Sequence, residues 1–220
     1  MSKENSKLAL FSQFARIGKA LSNPNRLQLM ELLAQGERGV DALAKVAGLS
    51  TANASQHLQQ LKQAGLVNTR KVGLNVYYVL SGDDVLELFL SVRQVAQRHL
   101  GDVDRILDSL LGNKDDLEPV RAKDLLSRAK DGCVTILDVR PAQEYAAGHV
   151  PNAINVPMSE LQDFVKNLPK GQEVVAYCRG PHCVLAFDAV NTLREQGFIA
   201  RRLEDGFPEW RLAGLPVESA

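Results

Sequence analysis

The chain has little cysteine, no long hydrophobic run and no net charge, and each shortage excludes something. Three cysteines in 220 residues (Cys133, Cys178, Cys183) are too few for the disulfide framework of a small secreted domain. An isolated structural disulfide is not expected, although a transient one is compatible with the count. No run of 18 or more apolar residues exists, so no segment reads as a membrane span and no membrane partner is expected. The N-terminus, Met1-Ser2-Lys3-Glu4-Asn5, is polar and lacks the apolar stretch of a secretory signal. These features predict a cytoplasmic protein with mostly reduced thiols.

What is present is ordinary in bulk and uneven in distribution. An apolar fraction of 45% and a length of 220 residues suit a globular chain of one or two domains, each with its own core. Residues 1–80 carry ten Lys/Arg against four Asp/Glu, and residues 81–220 carry sixteen against twenty-two. A basic first third beside an acidic remainder fits a nucleic-acid module joined to something else.

The first third reads as helices. Leu8 to Leu21 has apolar residues at helical spacing. Asn23-Pro24 then offers an N-cap followed by proline at the first helical position, and this second helix stops near Gly36. A short helix from Val40 to Ala47 ends at Gly48, and Ser50 caps the next. Ala54, Leu58, Leu61 and Ala64 share one face of that helix, which Gly65 closes. Two short helices around a glycine turn form a helix-turn-helix. The second exposes Thr51, Asn53, Ser55, Gln56, His57 and Gln60 beside the capping Ser50, side chains suited to base edges and phosphates. Residues 66–80 then read as a hairpin turning at Gly73, with Arg70 and Lys71 near its tip for phosphate contact.

Asn23-Pro24-Asn25-Arg26, Ser55-Gln56-His57-Leu58, Ala64-Gly65-Leu66-Val67 and Val76-Tyr77-Tyr78 resemble the ArsR-type winged-helix regulators over about residues 8–110. The resemblance implies a homodimer on double-stranded operator DNA, with the helix from Thr51 in the major groove. Members often sense metals through cysteines on the first helix of the helix-turn-helix or through paired His and carboxylate ligands on the last helix. Here Arg38 to Leu43 holds no cysteine. His99 has Asp102 three residues on, but Leu88, eleven residues before it, cannot ligate. No metal site and no cofactor are expected.

Asp83 to Leu111 reads as one long helix. Phe89, Val92, Ala96, His99, Val103, Ile106 and Leu110 form a narrow seam suited to a second subunit. Residues 112–116 break the pattern and serve as the expected linker between a domain of residues 1–111 and one of 117–220.

Beyond the linker, short apolar strands alternate with helices, which predicts a parallel sheet with helices on both faces. Ligands in such folds bind beyond the carboxyl ends of the strands. Cys178 stands at such an end, after Val174 to Tyr177 and before a helix from Val184. Backbone N–H groups converging there favour a thiolate, the nucleophilic form of cysteine. Cys133, just before a core strand, reads as packing.

Leu137-Asp138-Val139-Arg140, Glu144-Tyr145, the run Gly148 to Pro157, Tyr177-Cys178-Arg179-Gly180 and Gly206-Phe207-Pro208-Glu209-Trp210 resemble the rhodanese (sulfurtransferase) domain over about residues 117–218. The resemblance implies that Cys178 takes up a sulfane sulfur as a persulfide, within the loop Arg179, Gly180, Pro181, His182 and Cys183. It gives Asp138, Arg140, Glu144 and His149 structural roles. Related phosphatases have a longer loop ending in arginine; here that position is Val184. Position 183, often Arg, Lys or Thr in the family, is Cys, which removes a cation and adds a thiol able to attack a Cys178 persulfide.

The expected protein is therefore multidomain, a mainly-α winged helix-turn-helix followed by an α/β rhodanese-like parallel sheet. Its expected function is dimeric, DNA-binding transcriptional regulation, with Cys178 reading or transferring sulfane sulfur from a small thiol-reactive donor. The alternative is a sulfurtransferase using thiosulfate or polysulfide, with the winged helix as an accessory. Metalloid handling by Cys178 and Cys183 is the third reading.

Overall fold

The computed structural model describes residues 3–111 and 119–219. The expected linker, 112–116, lies outside the described residues. Two compact units form, Met1–Val92 and Arg93–Ala220.

The first unit holds α1 (Lys3–Leu21), α2 (Pro24–Ala34), β1 (Arg38–Gly39), α3 (Val40–Ala47), α4 (Thr51–Gln63), β2 (Val67–Val72), β3 (Asn75–Leu80) and the start of α5 (Asp83–His99). Local chemistry sets the boundaries. Asn23 is extended, and its side chain accepts a 3.3 Å bond from the Arg26 amide. Pro24 occupies a position whose N–H would have no helical partner. Gly48 ends α3 in the left-handed region, and the Ser50 hydroxyl caps α4 by accepting from the Asn53 amide at 3.2 Å. Ala54, Leu58 and Leu61 of α4 lie buried with Leu29, Leu33 and Leu43, so the opposite face of α4 is left to solvent. β2 and β3 form the expected antiparallel hairpin, and β1 adds a third strand on β3.

The single helix expected over 83–111 is two. α5 ends at His99, and α6 (Gly101–Leu111) starts after Leu100. Glycine in a helix interior costs about 1 kcal/mol against alanine, and Asp102 and Asp104 suit the first turn of a new helix. The expected seam is divided. Val103 packs against the second unit's core together with the buried Leu107 and Leu111, whereas Ile106 and Leu110 are exposed. Phe89 is buried and His99 is exposed. No helix among the described residues is long and apolar enough to cross a membrane.

The second unit is a four-stranded sheet in the order β5 (Ile154–Asn155), β4 (Val134–Asp138), β6 (Glu173–Tyr177), β7 (Ala200–Arg202), with every pair parallel. Its helices are α6, α7 (Ala122–Lys130), α8 (Ala142–Ala147), α9 (Met158–Val165), α10 (Val184–Glu195) and α11 (Phe207–Leu212). The strand period of two builds two cores. Val174 and Ala176 of β6 join the cluster with Leu161, Phe187 and Val190, while Val175 and Tyr177 join the one with Leu125, Phe207 and Trp210. The expected parallel sheet with helices on both faces is observed.

At the carboxyl ends of β4 and β6 lies a fully buried ion pair. Arg140 Nη2 donates to Asp138 Oδ2 at 2.5 Å and to the Gly148 carbonyl at 2.7 Å. The Tyr177 hydroxyl donates to the same carboxylate at 2.6 Å and accepts from the Val150 amide at 3.0 Å. Burial, and then the adjacent Asp138, hold the Tyr177 phenol far above its ordinary pKa. Removing one partner of such a pair strands a buried charge. Asp138→Asn is expected to destabilise the second unit by about 3–5 kcal/mol. Urea unfolding followed by fluorescence of Trp210, the one tryptophan of the chain, checks this; a loss below about 1 kcal/mol would mean the pair contributes little.

Candidate functional site

β6 ends at Tyr177, and Cys178 follows it almost fully buried. The chain turns through Arg179 to His182 and reaches Cys183, the N-cap residue of α10. The Cys183 amide donates to the Gly180 carbonyl at 3.1 Å, and the Cys178 carbonyl accepts from the Phe207 amide at 3.1 Å. The turn brings the two cysteines to a Cα–Cα distance of 6.1 Å, and their sulfurs are joined as a disulfide. The bond lies between the two thiols of the loop, the pair for which the sequence leaves a transient disulfide open. Cys133, expected to pack, is exposed, because α7 ends just before it and its Sγ reaches only the Asp131 carbonyl.

Arg179 is held by Glu144, whose side chain is fully buried. Nε lies 3.0 Å from each carboxylate oxygen, and Nη2 donates to Oε1 at 2.5 Å. The loop's arginine is thus matched within the protein, and Glu144 fixes the loop to α8. Asp138 and Arg140 form the buried pair already described. His149 stacks on Tyr145 with ring centroids 3.7 Å apart, and its backbone pairs with Glu218.

Gly206 has no room for a side chain. A Cβ there would lie 2.3 Å from the Gly180 nitrogen and 2.4 Å from the Arg179 carbonyl carbon. The loop therefore rests directly on the segment that opens α11. That segment is braced in turn. Glu209 Oε2 accepts from the Gly206 amide at 3.1 Å, and Glu209 Oε1 pairs with Arg93 of α5. Sequence reading passed over Arg93 and Glu209 in this role, since residues 116 positions apart share no local pattern.

The nine residues expected at the nucleic-acid interface divide into two groups. Ser50 caps α4, Thr51 donates to Asp41 at 2.9 Å, and His57 Nε2 lies 3.4 Å from the Asn25 amide nitrogen. Gln60 Oε1 accepts from Arg26 at 2.5 Å. Arg70 makes a two-pronged pair with Glu37, at 2.9 and 2.6 Å. That hydrogen bond holds the Glu37 carboxyl below its ordinary pKa. Asn53, Ser55, Gln56 and Lys71 have no side-chain bond among the described residues and lie on the free face of α4 or on the wing. Glu37 was not foreseen, because the two-residue β1 that carries the chain past β3 is too short to show periodicity. No group of three His, Cys, Asp or Glu able to hold a metal occurs among the described residues.

Comparison with known proteins matches both halves. The model of the bacterial regulatory protein, arsR family, matches residues 23–69, and the rhodanese-like domain model matches residues 121–213. An HTH-type transcriptional regulator of Mycobacterium tuberculosis, Rv0324, is 49% identical over 96% of this chain and 93% of its own length. A sulfurtransferase of Allochromatium vinosum is 32% identical over 38% of this chain and 78% of its own length. Among solved structures, the homodimeric winged helix-turn-helix DNA-binding domain of a possible ArsR-family regulator from Mycobacterium bovis is 48% identical. It covers 46% of this chain and 93% of that chain, at a TM-score of 0.43.

Replacing Gly206 by alanine is expected to push the loop out of place and to cost about 1–3 kcal/mol of second-unit stability. Urea unfolding read at Trp210 measures it; a cost under about 0.5 kcal/mol, within the range of neutral surface changes, would show that the loop yields freely.

Proposed function

We propose, from the premise that this chain belongs to the ArsR-family HTH transcriptional regulators and carries a rhodanese-like domain, that it binds its operator as a homodimer and reads sulfane sulfur through Cys178. The observation that carries the reading is the Cys178–Cys183 disulfide across the loop. A sulfane donor converts the Cys178 thiolate to a persulfide. Cys183 attacks the Cys178 sulfur, hydrosulfide leaves, and the loop closes. Cys183 sits at the first residue before α10, so closure alters the loop and a helix end together.

The DNA-reading surface in this proposal is the free face of α4 with Asn53, Ser55 and Gln56, flanked by Lys71 of the wing. The exposed Leu8, Phe11 and Phe14 of α1 and Val95 of α5 are apolar surface that a second subunit would cover. The competing reading, a sulfurtransferase with an accessory winged helix, draws on the rhodanese-like match and on the similarity to the Allochromatium vinosum sulfurtransferase. A second thiol placed to capture the persulfide favours sensing over steady transfer.

The test uses a duplex selected by the reduced protein from a random pool. Polysulfide should change its affinity about ten-fold or more, with intact mass showing loss of two hydrogens at the cysteine pair. Cys178→Ser should not respond, and Cys183→Ser should keep one added sulfur without closing. Unchanged affinity after full disulfide formation would sink the sensing role, and steady turnover without selective DNA binding would favour the enzyme.

On the same duplex, Gln56→Ala is expected to cost about 1–3 kcal/mol and relax selectivity at one position, whereas Lys71→Ala should weaken all sequences alike and flatten the salt dependence. Equal losses on selected and random duplexes for Gln56→Ala would remove it from base reading.

A further inference from the structure

The last turns of α1, the turn into α2 and the carboxyl half of α4 line an open hollow of about 460 Å³ within the first unit. Its walls carry three cations, Arg16, Lys19 and Arg26, together with Ser22, Gln60 and Gln63, and no aspartate or glutamate. Arg26 is buried, and its side-chain bonds among the described residues all go to neutral oxygens. The guanidinium donates to the carbonyls of Ala20 and Lys19 and to Gln60 Oε1. Arg16 donates to the Gln63 carbonyl at 3.1 Å and to Gln13 Oε1 at 2.8 Å. Arg16 and Lys19 are both exposed. Among the described residues no carboxylate pairs with any of the three.

Three positive charges around one hollow repel one another, and one of them is out of water. An anion in the hollow relieves both conditions. Gln60 turns its carbonyl oxygen to Arg26, which leaves Nε2 to donate, and the Gln63 side chain makes no bond among the described residues. Cations and amide donors together are the set that suits a phosphate oxygen.

The place of the hollow on α4 names the source of that phosphate. Asn53, Gln56, Gln60 and Gln63 recur at steps of three and four, so they form one stripe, opposite the buried Ala54, Leu58 and Leu61. The stripe assigned to base reading therefore runs into the hollow. Gln63 stands about 10 Å beyond Gln56 along the helix axis, and the major groove is about 12 Å wide. A helix with Gln56 at base edges thus carries Gln60 and Gln63 to the sugar–phosphate wall of the groove. Arg16 lies on the other side of α1 from the exposed Phe11 and Phe14, so a second subunit over those rings leaves the hollow open.

We propose, on the DNA-binding reading above, that this hollow receives one backbone phosphate of the operator. Arg16 and Lys19 hold it with the amides of Gln60 and Gln63, over the fixed charge of Arg26. The carboxyl end of α1 thereby becomes a third DNA-contacting element beside α4 and the wing. Such a contact carries no base information; it sets the register of α4 in the groove.

The experiment uses the reduced full-length protein and the duplex it selects. Arg16→Gln combined with Lys19→Gln should weaken selected and random duplexes alike, by about ten-fold or more. The slope of log affinity against log salt should flatten by about 0.9 for each phosphate lost, or about 1.8 for a dimer on two half-sites. Arg16→Lys with Lys19→Arg keeps both charges and should keep the slope. Lys130→Gln with Lys170→Gln, at exposed lysines of the second unit, makes the same change in net charge and should leave the slope unaltered. Methylphosphonates placed one at a time in the duplex then locate the phosphate. One position in each half-site should cost the wild type about ten-fold and the neutralised variant less than about two-fold. An unchanged slope in the neutralised variant, an equal loss in the charge-keeping one, equal flattening in the second-unit control, or methylphosphonate costs that survive neutralisation at every position would overturn the contact and leave the DNA-binding reading standing. If the wild type selects no duplex, the DNA-binding reading falls and the contact falls with it.

Discussion

The second unit depends on one buried charge pair. Asp138 and Arg140 are fully out of water, and their contacts beyond each other tie separate segments to the sheet's carboxyl edge. Asp138 takes the hydroxyl of Tyr177, the last residue of β6, and Arg140 takes the carbonyl of Gly148. The side-chain amide of Asn155 bridges the carbonyls of both residues from β5, at 3.0 and 2.9 Å. Three segments are thus fixed at the point where Cys178 leaves the sheet. A pair of this kind adds little net stability over apolar residues of equal size. Its value here is positional, since the loop that carries Cys178 and Cys183 starts one residue beyond Tyr177.

The loop is supported on both sides by contacts that leave little slack. Glu144 holds Arg179 from α8, and the side-chain-free backbone at Gly206 lies against Gly180. Arg93 and Glu209 brace that second support. The two sulfurs therefore lie on a loop bounded by charged contacts on one side and by closely packed backbone on the other. The DNA-reading half shows the same economy. Several polar residues of α4 serve the fold through Asp41, Asn25 and Arg26, and a smaller group remains for a ligand.

Much of this was legible in residue order. Helix starts at Asn23 and Ser50, the stop at Gly48, the hairpin and the parallel sheet all follow from local chemistry, because caps, turns and short apolar runs act over a few residues. The loop with Cys178 and Cys183 was legible too, since strand, turn and helix are consecutive. What failed to show was anything that depends on distant segments meeting. The break at Leu100 was hidden by a heptad-like pattern that continues across it, although Gly101 marked the place. The engagement of Arg70 by Glu37 arises from a two-residue strand, and that of Arg93 by Glu209 from the folded unit alone. Exposure of Cys133 could not be told from burial, because cysteine before a strand suits either.

Both sulfurs of the disulfide come from one chain and one turn. Closing that ring is a unimolecular event, with the partner thiol's effective concentration set by the loop and not by the cell. The meeting of the two thiols is therefore independent of how many copies of the protein exist. A scarce protein and an abundant one bring the two sulfurs together equally often.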